Sequence, residues 1–334
     1  MKTLVTGATG FLGAAIVARL RADGIAVRAL VRSATAPCDA EERCVGDLGD
    51  DDAIARAVDG VDSVVHAGAR VSTTGAWEEF EATNVRATDV LIQRAATAGI
   101  RRIVHVSSLS VYAVPHDGAT ITEDSPYDDA GAERGFYARS KLAADRIASA
   151  AANAGAPVTI VRPGLLYGPG RTPSLARRVA AVGPLRIILA GRDYQLPLAY
   201  VDNVADAIAL AMRSDVARGR AYTIVDIHAR QADFTRLYRE VSGASWTPVY
   251  APLGLVRAAV SAAELGFGLL GRRAPITRHQ VERTIRSATF STQRAHDELG
   301  WQPRVALPDA LRRSFAAGRP RPSDRAGAPA HSPA

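Results

Sequence analysis

Thr3-Leu4-Val5-Thr6-Gly7-Ala8-Thr9-Gly10-Phe11-Leu12-Gly13 runs from a short apolar, β-branched stretch straight into glycines spaced three and three. An apolar-periodic segment, 12–23, follows, so the glycines stand between a strand and a helix. Glycine there permits a tight turn, lets a pyrophosphate approach the backbone, and seats the helix against the strand, while the helix N-terminus faces the anion. The turn predicts a dinucleotide held by Gly7, Thr9, Gly10, Phe11, Leu12 and Gly13. No Lys-Ser/Thr pair follows the glycines, which excludes a P-loop ATPase.

Outward from this turn, short β-branched runs alternate with longer amphipathic ones. Strands are predicted at 3–6, 27–31, 63–66, 102–107 and 158–161, and helices at 12–23, 51–58, 77–98 and 137–153. The alternation is that of an α/β fold with a doubly wound parallel sheet. After Arg162-Pro163-Gly164 it loosens at Gly168-Pro169-Gly170 and Pro173. A strand at 197–201, a helix at 203–212 capped by Asp202, and a strand at 221–225 return to the first domain. We expect a dinucleotide-binding domain over 1–165 plus 198–227, a smaller, mostly helical substrate lobe over 166–197 plus 228–318, and a disordered Pro/Arg/Ala/Ser-rich tail over 319–334.

The second strand ends Ala29-Leu30-Val31-Arg32-Ser33, where an acidic residue would grip a ribose 2′-hydroxyl. Arg32 instead suits a 2′-phosphate, and no carboxylate stands there to repel one. NADP(H) is favoured, with NAD(H) the other option and a solvated surface arginine the bland reading. Tyr137 and Lys141 are four apart, hence neighbours on one helix face. A nearby ammonium favours tyrosinate and draws a phenol toward working pH, making Tyr137 a usable general acid or base. Of the 41 basic residues, only Lys2 and Lys141 are lysines, so an internal lysine calls for a reason. Ser108 ends a candidate central strand, where open α/β sheets present residues to a ligand crevice.

The glycine turn, Gly46-Asp47-Leu48, His66-Ala67-Gly68-Ala69, Asn84-Val85, Val106-Ser107-Ser108 and Tyr137-Ala138-Arg139-Ser140-Lys141 occur in that order. With this ordered set, roughly residues 1 to 315 resemble the extended short-chain dehydrogenase/reductases, the NAD-dependent epimerase/dehydratase group. The resemblance implies a Rossmann fold and an enzyme. It assigns catalysis to Ser108, Tyr137 and Lys141. Ser108 is preferred to Ser107 because three residues separate it from Val111-Tyr112, the family's spacing; Tyr112 has His116, not Lys, four residues on. Lys141 would also bind the nicotinamide ribose, Asp47 and Leu48 would meet the adenine, and Ala67, Gly68, Ala69, Pro163 and Gly164 would line the cofactor. Asp47 stabilising a turn is the alternative for that residue, Asn84 at a helix start either ties backbone strands together near the site or is a plain cap, and His66 reads as a buried strand histidine. The family also implies a homodimer through the helices at 77–98 and 137–153.

The 334 residues, 47% hydrophobic and 22% charged, exclude bulk disorder. Cys38 and Cys44 are the only cysteines, which leaves no disulfide framework; with no signal-like N-terminus, a cytoplasmic enzyme is expected. The net charge of +7 lies in the second half, where residues 166–334 hold 24 basic and 13 acidic side chains. Its arginines are scattered with few aromatics interleaved, which speaks against nucleic acid. No metal-ligand spacing and no Gly-x-Ser-x-Gly elbow occur, so neither a metal nor hydrolase chemistry is expected. The apolar stretch 253–270, ending in Arg272-Arg273, is too short to cross a membrane and reads as core, dimer interface, cleft cover or a membrane-surface contact.

Two chemistries remain for a small-molecule substrate. In one, resembling 3β-hydroxysteroid dehydrogenases and dihydroflavonol reductases, the cofactor is consumed as a ketone and a secondary alcohol interconvert. In the other, resembling nucleotide-sugar epimerases and dehydratases, the hydride returns to an NAD that is recycled. Arg32, the lack of Asn after Arg162, and Leu196 in place of a diphosphate-binding Arg favour the first with an apolar substrate. Arg171, Arg177, Arg178, Arg186 and Arg192 instead suit a phosphorylated or carboxylated one. The non-enzymatic alternative is an NADP-binding regulator or scaffold.

Overall fold

The computed structural model describes all residues except 73, 116, 117, 130–134, 173–178, 189, 190, 270, 272–286 and 317–334. The expected disordered tail, and Arg177, Arg178, Arg272 and Arg273, lie outside the described residues. In chain order the strands are β1 (Lys2–Thr6), β2 (Ala26–Val31), β3 (Glu42–Val45), β4 (Ser63–His66), β5 (Arg102–Val106), β6 (Val158–Pro163), β7 (Leu165–Tyr167), β8 (Val179–Val182), β9 (Leu185–Ile188), β10 (Gln195–Tyr200), β11 (Ala221–Ile224), β12 (Ile227–Arg230) and β13 (Thr247–Tyr250). Seven form one parallel sheet in the order β11-β6-β5-β4-β1-β2-β3. The direction of winding reverses between β1 and β4, so the ligand crevice of such a sheet opens at their carboxyl ends.

Alternation along each strand feeds two cores. Val5, Val65, Val104 and Val161 face α1 (Phe11–Ala22) and, through Val204 and Ile208, the later helix Val201–Arg213. Their neighbours Leu4, Val64, Ile103 and Ile160 face α2 (Asp51–Val58), α4 (Ala87–Thr97) and α5 (Phe136–Asn153). Between α2 and α4 lies the short α3 (Trp77–Phe80). Asp50 caps α2 by accepting from Asp52 N at 3.0 Å and Ala53 N at 3.2 Å.

Two expectations are corrected. The helix at 77–98 is not continuous: between α3 and α4, Glu81–Arg86 winds as a π-helical segment that brings the buried Asn84 onto Arg70 and Ser140. Asp202 is not a cap, because α6 (Val201–Arg213) starts one residue earlier with Tyr200 at the cap; Asp202 sits in its first turn, where a carboxylate complements the helix dipole.

The rest of the chain adds α7 (Gln231–Ser242), α8 (Leu253–Leu269), α9 (Gln293–Leu299) and α10 (Leu307–Ala316) to two three-stranded sheets, β12-β10-β7 and β13-β9-β8. Tyr167, Tyr194, Leu196, Leu198, Tyr200, Phe234 and Leu311 make the core between the sheet β12-β10-β7 and the helices α7 and α10. Leu196 is therefore packed inside, and its apolar character is explained by burial rather than by substrate.

Candidate active site

The glycine turn closes as its spacing demands. Gly7 has φ +69°, and a Cβ on it would lie 2.6 Å from Gly68 Cα, so the loops after β1 and β4 touch backbone to backbone at the switch point. A Cβ on Gly13 would lie 1.9 Å from Gly7 O, which is how closely α1 seats on the turn. Gly10 N donates to Gly7 O at 2.8 Å. Thr9 and Gly10 are exposed, and no side chain caps α1, leaving its first amides open to an anion. Leu12 is buried in the core, whereas Phe11 is half-buried under the Arg171 guanidinium, 5.5 Å from the ring centroid. This cradle, which any Cβ would fill, fits a dinucleotide pyrophosphate.

Arg32 is exposed just past β2, and among the described residues no carboxylate pairs with it; Ser33 Oγ and Thr35 Oγ1, 2.9 Å apart, flank it. Asp47 is exposed and its Oδ1 accepts from Gly49 N at 2.8 Å, so it does hold a turn, leaving the other oxygen at the edge. The Leu48 side chain covers Gly68, whose N–H donates to Thr6 Oγ1 at 3.1 Å; Ala67 and Ala69 are half-buried beside it. Pro163 ends β6, and Gly164 N donates to Ile224 O at 2.9 Å.

Lys141 is buried and its Nζ donates to Val106 O, the last carbonyl of β5, at 2.8 Å. That bond brings α5 to within two residues of Ser108, and α5 packs on the single 3-10 turn Leu109–Val111 that Ser108 caps. Ser108 is half-buried, and its Oγ accepts from Ser110 N at 3.1 Å, which leaves its proton for another acceptor. Ser107 is buried, its N–H on Val161 O at 2.7 Å. Tyr137, half-buried in the first turn of α5, stands one turn before Lys141.

Two polar networks hold this arrangement, the first through Asn84 and the second, around Arg162, not found by motif reading. In the first, Thr6 Oγ1 bonds His66 Nδ1 at 2.7 Å, His66 Nε2 bonds Thr88 Oγ1 at 3.0 Å, and Thr88 donates to Asn84 O at 2.7 Å. Asn84 receives Arg70 N at 2.6 Å and donates to Ser140 Oγ at 2.9 Å, which in turn donates to Tyr137 O at 2.9 Å. The end of β1 and the start of α5 are thus one connected unit, and Asn84 ties backbone segments rather than only capping a helix. In the second, Arg162 pairs with Asp145 through Nε to Oδ2 at 2.9 Å and Nη2 to Oδ1 at 2.7 Å, both side chains being buried. Arg162 also donates to Tyr112 OH at 2.6 Å, and Tyr127 OH donates to Asp145 Oδ1 at 2.7 Å. Asp145 lies four residues after Lys141, the one sign in sequence that it shares that helix face.

Burial lowers Lys141 to about 8, partly opposed by the Asp145 carboxylate, so the lysine stays mostly cationic at neutral pH. Burial holds His66 down at about 3 and His105, 5.4 Å from it, well below the usual imidazole range; Lys141 adds to both. These neutral histidines make an acid-labile layer. The unfolded chain protonates them below about 6.5 and the folded one does not, so the stability they contribute is full above that pH and declines as pH falls toward 3, by ~1.4 kcal/mol per unit and group. Asp226, pushed up to about 6 by burial, runs the opposite way but is one group against two. Melting temperature is expected to fall between pH 6.5 and 5, and His105→Phe to flatten that slope; an unchanged slope would contradict the assignment.

A parallel sheet wound in this order, with a glycine cradle at its switch point and a Tyr–Lys pair at its carboxyl edge, defines an extended short-chain dehydrogenase/reductase, an enzyme. Comparison with known proteins agrees. The chain belongs to the NAD dependent epimerase/dehydratase family, whose model matches residues 3–225. It is 33% identical to sterol demethylase protein B of Methylococcus capsulatus, over 93% of this chain and 97% of the relative. It is 30% identical to 4-hydroxy-2-methyl-3-oxo-4-farnesyl-3,4-dihydroquinoline-1-oxide ketoreductase of Stigmatella aurantiaca, over 96% and 98%. The crystal structure of gox2253 superposes with a TM-score of 0.81 at 27% identity, covering 94% of this chain and 97% of that one.

Proposed function

We propose that this enzyme uses NADP(H) to interconvert a ketone and a secondary alcohol on a small, largely apolar molecule. The observation that carries the reading is the exposed apolar side chains that neighbour candidate residues in sequence: Phe136 before Tyr137, Leu165 after Gly164, and Val71 two residues after Ala69. The names of two relatives, with their sterol and farnesyl ketone, support it.

When bound, the nicotinamide supplies or takes the hydride. Gly7, Thr9, Gly10, Phe11, Leu12 and Gly13 would hold its pyrophosphate, Asp47 and Leu48 the adenine end, and Ala67, Gly68, Ala69, Pro163 and Gly164 the walls. Tyr137 gives its phenolic proton to the substrate oxygen in reduction and takes it back in oxidation. Ser108, its Oγ accepting from Ser110 N, turns its own proton to that oxygen. The Lys141 ammonium, anchored on Val106 O, favours the phenolate and would bind the nicotinamide ribose.

Arg32, with the Ser33 and Thr35 hydroxyls, would hold the 2′-phosphate. Arg32→Ala is expected to weaken NADPH about tenfold to a hundredfold, from the ~1.5–3 kcal/mol of a charge-assisted bond, and to leave NADH unchanged, as read by fluorescence titration. Equal losses for both would remove Arg32 from the site. The enzyme would work in the cytoplasm as a homodimer joined through α4 and α5. The family's nucleotide-sugar branch, with recycled NAD, is the alternative. Incubation with NADPH deuterated at C4 and a hydrophobic ketone tests the choice. Deuterium in the alcohol with one NADP formed per alcohol supports net reduction, and turnover without NADP accumulation overturns it.

A further inference from the structure

The turn that follows β7 lies against the cofactor cradle. Gly168-Pro169-Gly170-Arg171 closes on itself: Arg171 N donates to Gly168 O and Gly168 N to Arg171 O, each at 2.9 Å. Gly170 takes φ +77° behind a proline, the pattern of a type II turn, so the local sequence fixes where the Arg171 backbone stands. A Cβ on Gly168 would lie 2.6 Å from Val201 Cγ1 and 3.2 Å from Phe11 Cζ, so a glycine lets the turn settle on the first residue of α1. From there the Arg171 guanidinium reaches over the Phe11 ring, 5.5 Å from its centroid.

Three observations give that arginine an anionic ligand. The face of an aromatic ring attracts a cation but leaves the guanidinium N–H donors unspent. Arg171 is exposed, and among the described residues no carboxylate pairs with it; Arg70 and Arg162, which take part in the two polar networks, are held by Glu79 and Asp145. Finally, the ring belongs to Phe11, whose own N–H is one of the open first amides of α1. The guanidinium therefore stands one side chain away from any anion seated on those amides. Its planar fork can take two phosphate oxygens side by side, which a single amide cannot.

We infer that Arg171 clamps the cofactor's pyrophosphate against the N-terminus of α1. Phe11 then serves twice, its amide toward the anion and its ring as the rest on which the guanidinium waits. The inference rests on the dinucleotide reading of the cradle but not on the choice of NADP(H) over NAD(H), since both carry the pyrophosphate. It takes Arg171 from an acidic substrate and gives it to the cofactor, because the ring beneath it lies in the cofactor turn and not on α5 beside Tyr137.

Calorimetric titration of the full chain with NADPH, NADH and ADP-ribose tests it. Arg171→Ala is expected to weaken all three alike, by about tenfold, while the melting temperature of the ligand-free protein stays that of the wild type. Arg171→Met keeps an apolar stem over Phe11 but has no N–H donor, and it is expected to lose as much. A Met variant with wild-type affinity would make the arginine's role one of packing and overturn the clamp. So would an Arg171→Ala variant that binds all three as the wild type does, which leaves the cofactor reading standing. A loss confined to NADPH also overturns it, since that would put Arg171 at the 2′-phosphate with Arg32. A wild type that binds none of the three brings down the dinucleotide reading, and the clamp with it.

Discussion

Replacing Tyr137 by Phe is expected to lower kcat about a thousandfold while NADPH binding stays within about twofold. The substitution removes one hydroxyl from the first turn of α5 and leaves the Tyr137 carbonyl, which accepts from Ser140, in place. Only the proton donor goes; the glycine cradle and the Lys141 anchor on Val106 O are untouched. Steady-state kinetics on a ketone with parallel NADPH titration separates the two effects. Near-normal turnover would remove Tyr137 from the chemistry, and a matching loss of NADPH affinity would make its role one of binding.

The second large effect concerns the fold beneath the site. Asp145→Ala would leave the Arg162 guanidinium buried without its carboxylate, and it would take from Tyr127 its acceptor. Breaking a buried pair from one side costs ~3–5 kcal/mol, far more than the pair is worth against an apolar replacement. A drop in melting temperature of about 5–10 °C is expected. The double variant D145L/R162M should recover most of it, because neither side then holds an unpaired buried charge. A double variant no better than Asp145→Ala would mean that the wider network, with Tyr112 and Glu123 O also bound to Arg162, is what matters.

How legible the site was depended on how local its chemistry is. The Gly7–Gly13 turn was readable because its glycines serve contacts within a few residues, strand end to helix start. Tyr137 and Lys141 were readable because one helical turn separates them. The Arg162–Asp145 pair was not: its members sit 17 residues apart on a strand and a helix that meet only once the sheet is wound. The π-helical segment was hidden for a related reason, since Glu81–Arg86 has helix-compatible residues and departs from the α ladder at Asn84, whose partners Arg70 and Ser140 are distant in sequence. Leu196 shows the converse error. An apolar residue at a position that differs from a relative's motif was read as speaking to a ligand, when it packs against the lobe's own tyrosines. Side chains that answer to the core carry little information about the substrate.

The measurement that bears most directly on the account is the cofactor itself. Freshly purified protein is denatured and any released nicotinamide identified, and emptied protein is then titrated with NADPH and NADH in parallel. The account predicts exchangeable binding that prefers NADPH, with the preference lost in Arg32→Ala. Near-stoichiometric NAD or NADH retained through purification would contradict it and turn the search to nucleotide sugars and a recycled hydride.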